Sequence, residues 1–337
     1  MRAADPASLP TATRLAFEAA SELGMAFEVL DPEYGYLYEV RHGDRRRAFL
    51  GGRSPLNDAV SARLAEDKHY ASLLLARAGL TVPETVRCLS PRHPSMASFA
   101  DRAGMDPGLR LAEARGLPLV VKPNRLSHGR GVAHVRSDTE LRGAIEAVWD
   151  LDAIALVQTY APGVDLRLDF LDGRFLAGYE RRAIVLSGDG VKTVEALMTE
   201  QDARMAVPEA KKRLMVALAP ALEARGWTEE TVLAEDEGLD LTNPIRNLNL
   251  GSAPRVLREA PAEAEAACLV AGRAIGLRHF GVDCRVASNG VTAAVTLIEI
   301  NASPLLSQIY LAGYRDVAVA AQKRVLSAAM DAAAPVS

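Results

Sequence analysis

Apolar residues recur at four-residue intervals at Leu15, Ala19 and Leu23, which predicts a helix from Thr11 that stops at Gly24. Met25 to Leu30, Tyr36 to Val40 and Arg47 to Leu50 then read as strands, with His42-Gly43-Asp44 turning between the last two. Leu56 to Ala78 carries the pattern of two helices broken near Asp67-Lys68 and ended by Gly79. Thr85 to Leu89 is a strand, and Pro91 to Met105 has the irregular composition of a linker. Leu117 to Val121 is a short Val- and Leu-rich run, as a buried strand requires. Ser137 and Glu140 form a capping box that opens a helix to Trp149. Ile154 to Val157 is a strand, with Gln158 to Asp165 as the loop after it. Leu166 to Phe170 and Arg174 to Tyr179 make a hairpin about Leu171-Asp172-Gly173. Helices follow over Pro208 to Arg225, Ala260 to Gly276 and Asp316 to Met330. Between the last two, strands at Phe280 to Val286 and at Leu297 onward flank a turn at Ser288-Asn289-Gly290.

Two stretches carry chemistry. In the first, Lys122 directly follows the strand Leu117 to Val121, and Pro123-Asn124 should break that strand. Gly129 and Gly131 then bracket Arg130. Glycines let backbone N–H groups approach an anion, and Lys122 and Arg130 add charge, so the loop suits a phosphate. It is not a Walker A loop, because the lysine precedes the glycines. In the second stretch, Asp283 lies in an apolar strand, while Glu299 and Asn301 are two apart and share a strand face. A hairpin can bring Asp283 opposite Glu299. Two carboxylates and an amide oxygen are hard ligands of the kind Mg²⁺ takes together with phosphate oxygens. Arg285 sits two residues past Asp283 and shares its face, with no carboxylate beside it in sequence. It is read as a group that positions an acyl phosphate or a carboxylate, or else as one that orients Glu299.

Composition narrows the classes. A chain of 337 residues with net charge −4 has ample core and no basic footprint for nucleic acid. The Arg45-Arg46-Arg47 run reads as a solvated turn. No apolar run approaches a membrane span, and the start, MRAADPASLP, lacks the apolar core of a leader. Cys88, Cys268 and Cys284 form no metal or redox motif and fit a reducing, cytoplasmic setting. Cys284 should face the core side of the strand, opposite Asp283.

These stretches together resemble the ATP-grasp superfamily of carboxylate–amine ligases. The similarity is greatest to the ATP-grasp part of cyanophycin synthetase and of the fused glutathione synthetases, and runs from about Leu56 to Met330. VVKPN…GRGV, VQTYAPGVDLRL, ERRAIVLSGDGVKTV and GVDC…EINASP stand in the family's order at compatible spacings. The resemblance implies an α/β (α+β) ATP-grasp fold of three subdomains, residues 1–112, 113–160 and 161–337, with nucleotide between the central and C-terminal ones. It implies that ATP meets Lys68, Lys122, Gly129, Gly131, Gln158, Thr159, Tyr160 and Asp165. Asp165 would bond the ribose hydroxyls. Gln158 stands where the family usually has Glu, and keeps an acceptor oxygen for the adenine amino group. Arg181 is assigned to the phosphates; Arg167, Arg182 and Asn249 fall toward the substrates; Asp283, Glu299 and Asn301 hold Mg²⁺, with Mn²⁺ as an alternative. Asn249 lies in IRNLNLGS, where the family's LSTGG becomes LNLGS, a departure that bears on the acceptor more than on ATP.

The implied activity joins a carboxylate to an amine, on amino acids or short peptides, through an acyl phosphate. A glutathione-synthetase-like activity, or addition of an amino acid to a protein tail, is the alternative among enzymes. Outside enzymes, the alternative is a nucleotide-binding module without turnover. Neither a membrane nor a nucleic-acid partner is expected, and analogy alone suggests a homodimer.

Overall fold

The computed structural model describes residues 8–127, 129–182, 185–235, 237–240, 253–288 and 293–331. The first helix, Thr11–Glu22, buries Leu15, Ala16, Ala19 and Ala20. Strands β1 (Ala26–Val29), β2 (Leu37–His42) and β3 (Arg45–Leu50) form a small antiparallel sheet in that order. Phe27, Tyr38 and Phe49 stack across it, with ring centroids 4.9 and 5.3 Å apart. This unit is closed by the far end of the chain: Ala318, Val325, Leu326 and Met330 of the helix Arg315–Asp331 join its core.

The helices Ala59–Glu66 and Lys68–Arg77 break where the sequence places the break. Asp67 caps the second, its carboxylate accepting from the Tyr70 N–H at 3.1 Å. A four-stranded antiparallel sheet follows, built from β4 (Thr85–Leu89), β5 (Leu119–Pro123), β6 (Ala133–Val135) and β7 (Ile154–Thr159), in the order β4-β7-β5-β6. The sheet draws β4 from ahead of residue 113, so its membership crosses the division expected there. The helix Asp106–Arg115 falls within a stretch whose pattern gave no element. Strand alternation sorts the sheet's residues. Leu119, Val121, Val135, Ala155 and Val157 pack under the helices Asp106–Arg115 and Asp138–Trp149. Val120, Lys122, His134 and Gln158 turn to the other face.

The third sheet is antiparallel and five-stranded. It contains β8 (Val164–Leu171) and β9 (Arg174–Arg182); then, past the small ribbon β10 (Val185–Ser187) with β11 (Gly238–Asp240), β12 (Ala253–Leu257), β13 (His279–Ser288) and β14 (Ala293–Asn301). The order is β12-β9-β8-β13-β14. On one face Leu166, Leu168, Phe170, Val282, Cys284 and Leu297 pack on the helix Ala262–Ile275. Cys284 is thus core, as its alternation with Asp283 requires. The opposite face is charged and looks toward the four-stranded sheet. No helix among the described residues is long and apolar enough to cross a membrane.

Candidate active site

The cleft between the two sheets has a volume of about 240 Å³. Its walls carry five cations, Lys68, Lys122, Arg167, Arg181 and Arg285, against three carboxylates, Asp165, Asp283 and Glu299. Lys122 comes from β5. The strand runs through Lys122 and Pro123 rather than breaking before them, because Pro123 still pairs with Ala155 and the turn begins at Asn124. Lys122 is only 5% exposed, and its ammonium has no hydrogen bond or ion pair among the described residues. Burial pulls its ammonium down to about 8; Glu299 and Asp283 oppose this and Lys68 adds to it.

The β13–β14 hairpin sets the acidic part. Asp283 and Glu299 are direct cross-strand partners. The register then slips by one, leaving Ile298 as an extra residue in β14. The bulge lets Glu299 and Asn301 face the cleft while Leu297 faces the core. The turn at Asn289-Gly290 lies outside the described residues. Asp283 accepts from Arg167 Nη1 at 3.2 Å and from Arg181 Nη2 at 2.5 Å. Burial alone would raise the Asp283 carboxyl, but the two guanidiniums overcome it and hold it at about 2. The Asn301 amide fits with its oxygen 2.9 Å from Arg167 Nη1 and its nitrogen 3.0 Å from Glu299 Oε1. Lys68 Nζ stands 3.6 Å from Glu299 and donates to the Leu126 carbonyl at 2.6 Å. Two carboxylates and an amide oxygen suit a hard divalent cation that takes its remaining ligands from elsewhere. Among the described residues no three His, Cys, Asp or Glu side chains form a metal cage by themselves.

Arg285 and Arg182 depart from expectation. Arg285 is neutralised: its Nη2 pairs with Asp165 at 3.0 Å, and it makes no ion pair with Glu299. The reason is register, since β8 places Asp165 directly across from Arg285. Asp165 also binds Arg181 Nη1 at 2.7 Å, so both of its oxygens meet arginines. Arg182 does not line the cleft. Alternation along β9 turns it away from Arg181, to pair with Glu180 at 3.0 Å.

The remaining candidates fall as follows. Gln158 and Thr159 belong to β7, not to a loop, and Asp165 belongs to β8. Gln158 donates its amide to Thr85 Oγ1 at 2.7 Å, which leaves its carbonyl oxygen as the acceptor. Thr159 and Tyr160 line the cleft beside it. Gly129 lines the cleft at φ 73°; Gly131, at φ 72°, packs instead against Pro123 and Leu151. Arg130 is not among the lining side chains. Asn249 lies outside the described residues. Motif reading missed His134, which meets the Tyr160 ring edge-on at 5.3 Å, and Tyr179, Ser303 and Gln308 toward the other end. The alternation of β6 and β9 is the sequence signal for His134 and Tyr179, whereas Ser303 stands in the EINASP stretch and Gln308 in the short helix Leu306–Leu311 after it.

Two antiparallel sheets closing on a cationic cleft are the ATP-grasp fold. The structure is similar to that of a bifunctional glutathione synthetase from Pasteurella multocida, with a TM-score of 0.58, 19% identity, and coverage of 90% of this chain and 41% of that one. In sequence the chain is 22% identical over 307 residues to the glutathione biosynthesis bifunctional protein GshAB of Desulfotalea psychrophila, covering 87% of this chain and 38% of that protein. It is 25% identical over 300 residues to the cyanophycin synthetase of Geminocystis herdmanii, covering 80% and 30%. It is 33% identical over 171 residues to the ribosomal protein bS6–L-glutamate ligase of Escherichia coli, covering 48% and 52%. The chain therefore spans about a third of the first two relatives. No family model matches it.

Proposed function

We propose that the chain is an ATP-dependent carboxylate–amine ligase. In this reading the carboxylate oxygen of an acid attacks the γ-phosphorus of ATP and ADP leaves. An amine then attacks the acyl phosphate, giving an amide, phosphate and a proton. The carrying observation is Lys122, a lysine only 5% exposed whose ammonium has no partner among the described residues, at the end of a strand in a cleft richer in cations than in carboxylates. An entering anion would stabilise such a group further. Lys122 and Lys68 meet the phosphates from the β5 side. Arg181 and Arg167 meet the transferring group and the acid from the β8–β9 side, where preorganised guanidiniums offset charge without reorganising. Asp283, Glu299 and Asn301 would hold Mg²⁺ or Mn²⁺, which supplies further charge to the phosphates. Gln158, Thr159 and Tyr160 hold the base.

The named activities of the relatives support amino acids or short peptides as the acid and the amine. The reading places the reaction in the cytoplasm, where ATP is held and the three free cysteines stay reduced. The test supplies Mg-ATP, hydroxylamine and a panel of the amino acids and γ-glutamyl dipeptides. A hydroxamate should form with at least one acid, in step with ADP. ADP release without hydroxamate from every such acid would overturn the acyl phosphate. Tight ATP binding with no release at all would favour the non-catalytic module.

A further inference from the structure

Behind the cleft lies a carboxylate that the ligase reading does not use. Asp169 is fully buried in β8, two residues from Arg167 and on the same face. Its Oδ1 accepts from Arg167 Nε at 2.7 Å. Its Oδ2 is buried with no partner among the described residues. Across the strand pair stands Gly281, the register partner of Asp169. A Cβ at Gly281 would lie 2.2 Å from Asp169 Oδ1 and 2.5 Å from Arg167 Nε and Nη2. The missing side chain is what leaves room for the pair.

A buried ion pair with a carboxylate oxygen left unsatisfied is poor stabilisation, because desolvation of both charges offsets their attraction. What it does provide is direction. A guanidinium has two usable edges. Asp169 occupies Nε, which fixes the plane and leaves Nη1 toward Asp283 and Asn301 at the cleft wall. Arg167 itself is only 7% exposed, so the protein groups around it, more than solvent, set its orientation. We infer that Asp169, given its room by Gly281, is a positioning residue that sets the Arg167 guanidinium for the acid substrate. The inference rests on the ligase reading for what Arg167 meets, but not for how Arg167 is held.

Two measurements test it. In the wild-type protein, the Arg167 Hε resonance, assigned by its loss in Arg167→Met, should exchange slowly and shift on Asp169→Asn. Rapid exchange in wild type would overturn the inference, whatever the activity of the chain. In the hydroxamate assay, Asp169→Asn should raise KM for the acid that wild type converts by about tenfold, the scale of one charge-assisted hydrogen bond. KM for ATP should stay within about twofold, since Lys122 and the Gln158 end are untouched. Arg167→Met should do the same, and the double variant should be no worse than Arg167→Met alone. If Asp169→Asn does not fold, Gly281→Ala displaces the pair with both charges kept and should give the same split. Equal changes for acid and ATP, or an additive double variant, would reduce Asp169 to a structural role. If wild type converts no acid, the ligase reading fails while the Hε measurement still judges the placement of Arg167.

Discussion

At the residue scale, Lys122 is the side chain on which the reading turns. It is only 5% exposed, and among the described residues its ammonium has no counterion in contact. Glu299 and Asp283 act on it only from a distance, and burial outweighs them. A phosphate group would supply the missing partner, so binding energy should concentrate there. Lys122→Ala should weaken ATP by about 2–5 kcal/mol, the range for removing one partner of a desolvated charge pair. Calorimetry with ATP on the two proteins decides the matter, and equal affinities would remove Lys122 from the nucleotide site. Arg285 illustrates the limit of reading single residues. No carboxylate stands directly beside it in sequence, yet the neighbouring strand places Asp165 opposite it.

At the scale of elements, the segment at the start of the helix Lys68–Arg77 is sewn to the loop after β5. The Lys68 N–H donates to the Asn124 carbonyl at 3.3 Å, and the His69 N–H to Asn124 Oδ1 at 3.0 Å. Asp67 caps the helix with one oxygen and takes Arg125 with the other, at 3.2 Å. The loop that carries Gly129 is thus anchored by the helix terminus. Asp67→Ala should cost about 1 kcal/mol of stability, the worth of an N-cap, with the half-exposed Arg125 adding little. It should also raise KM for ATP while kcat changes less. Urea melts and initial rates measure both, and an unchanged melt with unchanged KM would refute the anchor. These elements also show what a sequence can reveal. Strands β5, β13 and β14 and the helix break at Asp67-Lys68 were legible because periodicity and turn residues are local signals. The helix Asp106–Arg115 was not, since Pro107 and Gly108 in its first turn look like loop. Nor were the Asp283 bulge, the Arg285–Asp165 pair or the role of Thr85, each of which depends on cross-strand register.

At the scale of the molecule, one joint ties the N-terminal segment to the C-terminal sheet. Asn57 accepts from the N–H groups of Arg278 and His279, at 2.9 and 3.0 Å, and donates to the carbonyls of His279 and Ala302, at 2.6 and 3.0 Å. Ser54 Oγ meets His279 Nδ1 at 2.9 Å. His279 itself is buried, and its Nε2 has no partner among the described residues. Burial pushes the imidazole down to about 4, and Arg167 adds to this while Asp172 opposes it. The native state therefore holds His279 neutral over a range in which the unfolded chain binds a proton. Between about pH 6.5 and 4 the unfolded state carries more protons, so stability rises with pH there. The contribution is complete above about pH 6.5 and is lost as pH falls toward 4. At about 1.4 kcal/mol per pH unit, the loss is about 3 kcal/mol. Asp283 acts in a lower window, between its ordinary 3.8 and about 2. Chemical denaturation at pH 7.5, 6, 5 and 4.5 should show the slope, and His279→Asn should flatten it. A variant that loses stability over pH 6.5 to 4.5 as steeply as wild type would show that other groups, and not this joint, set the acid sensitivity of the fold.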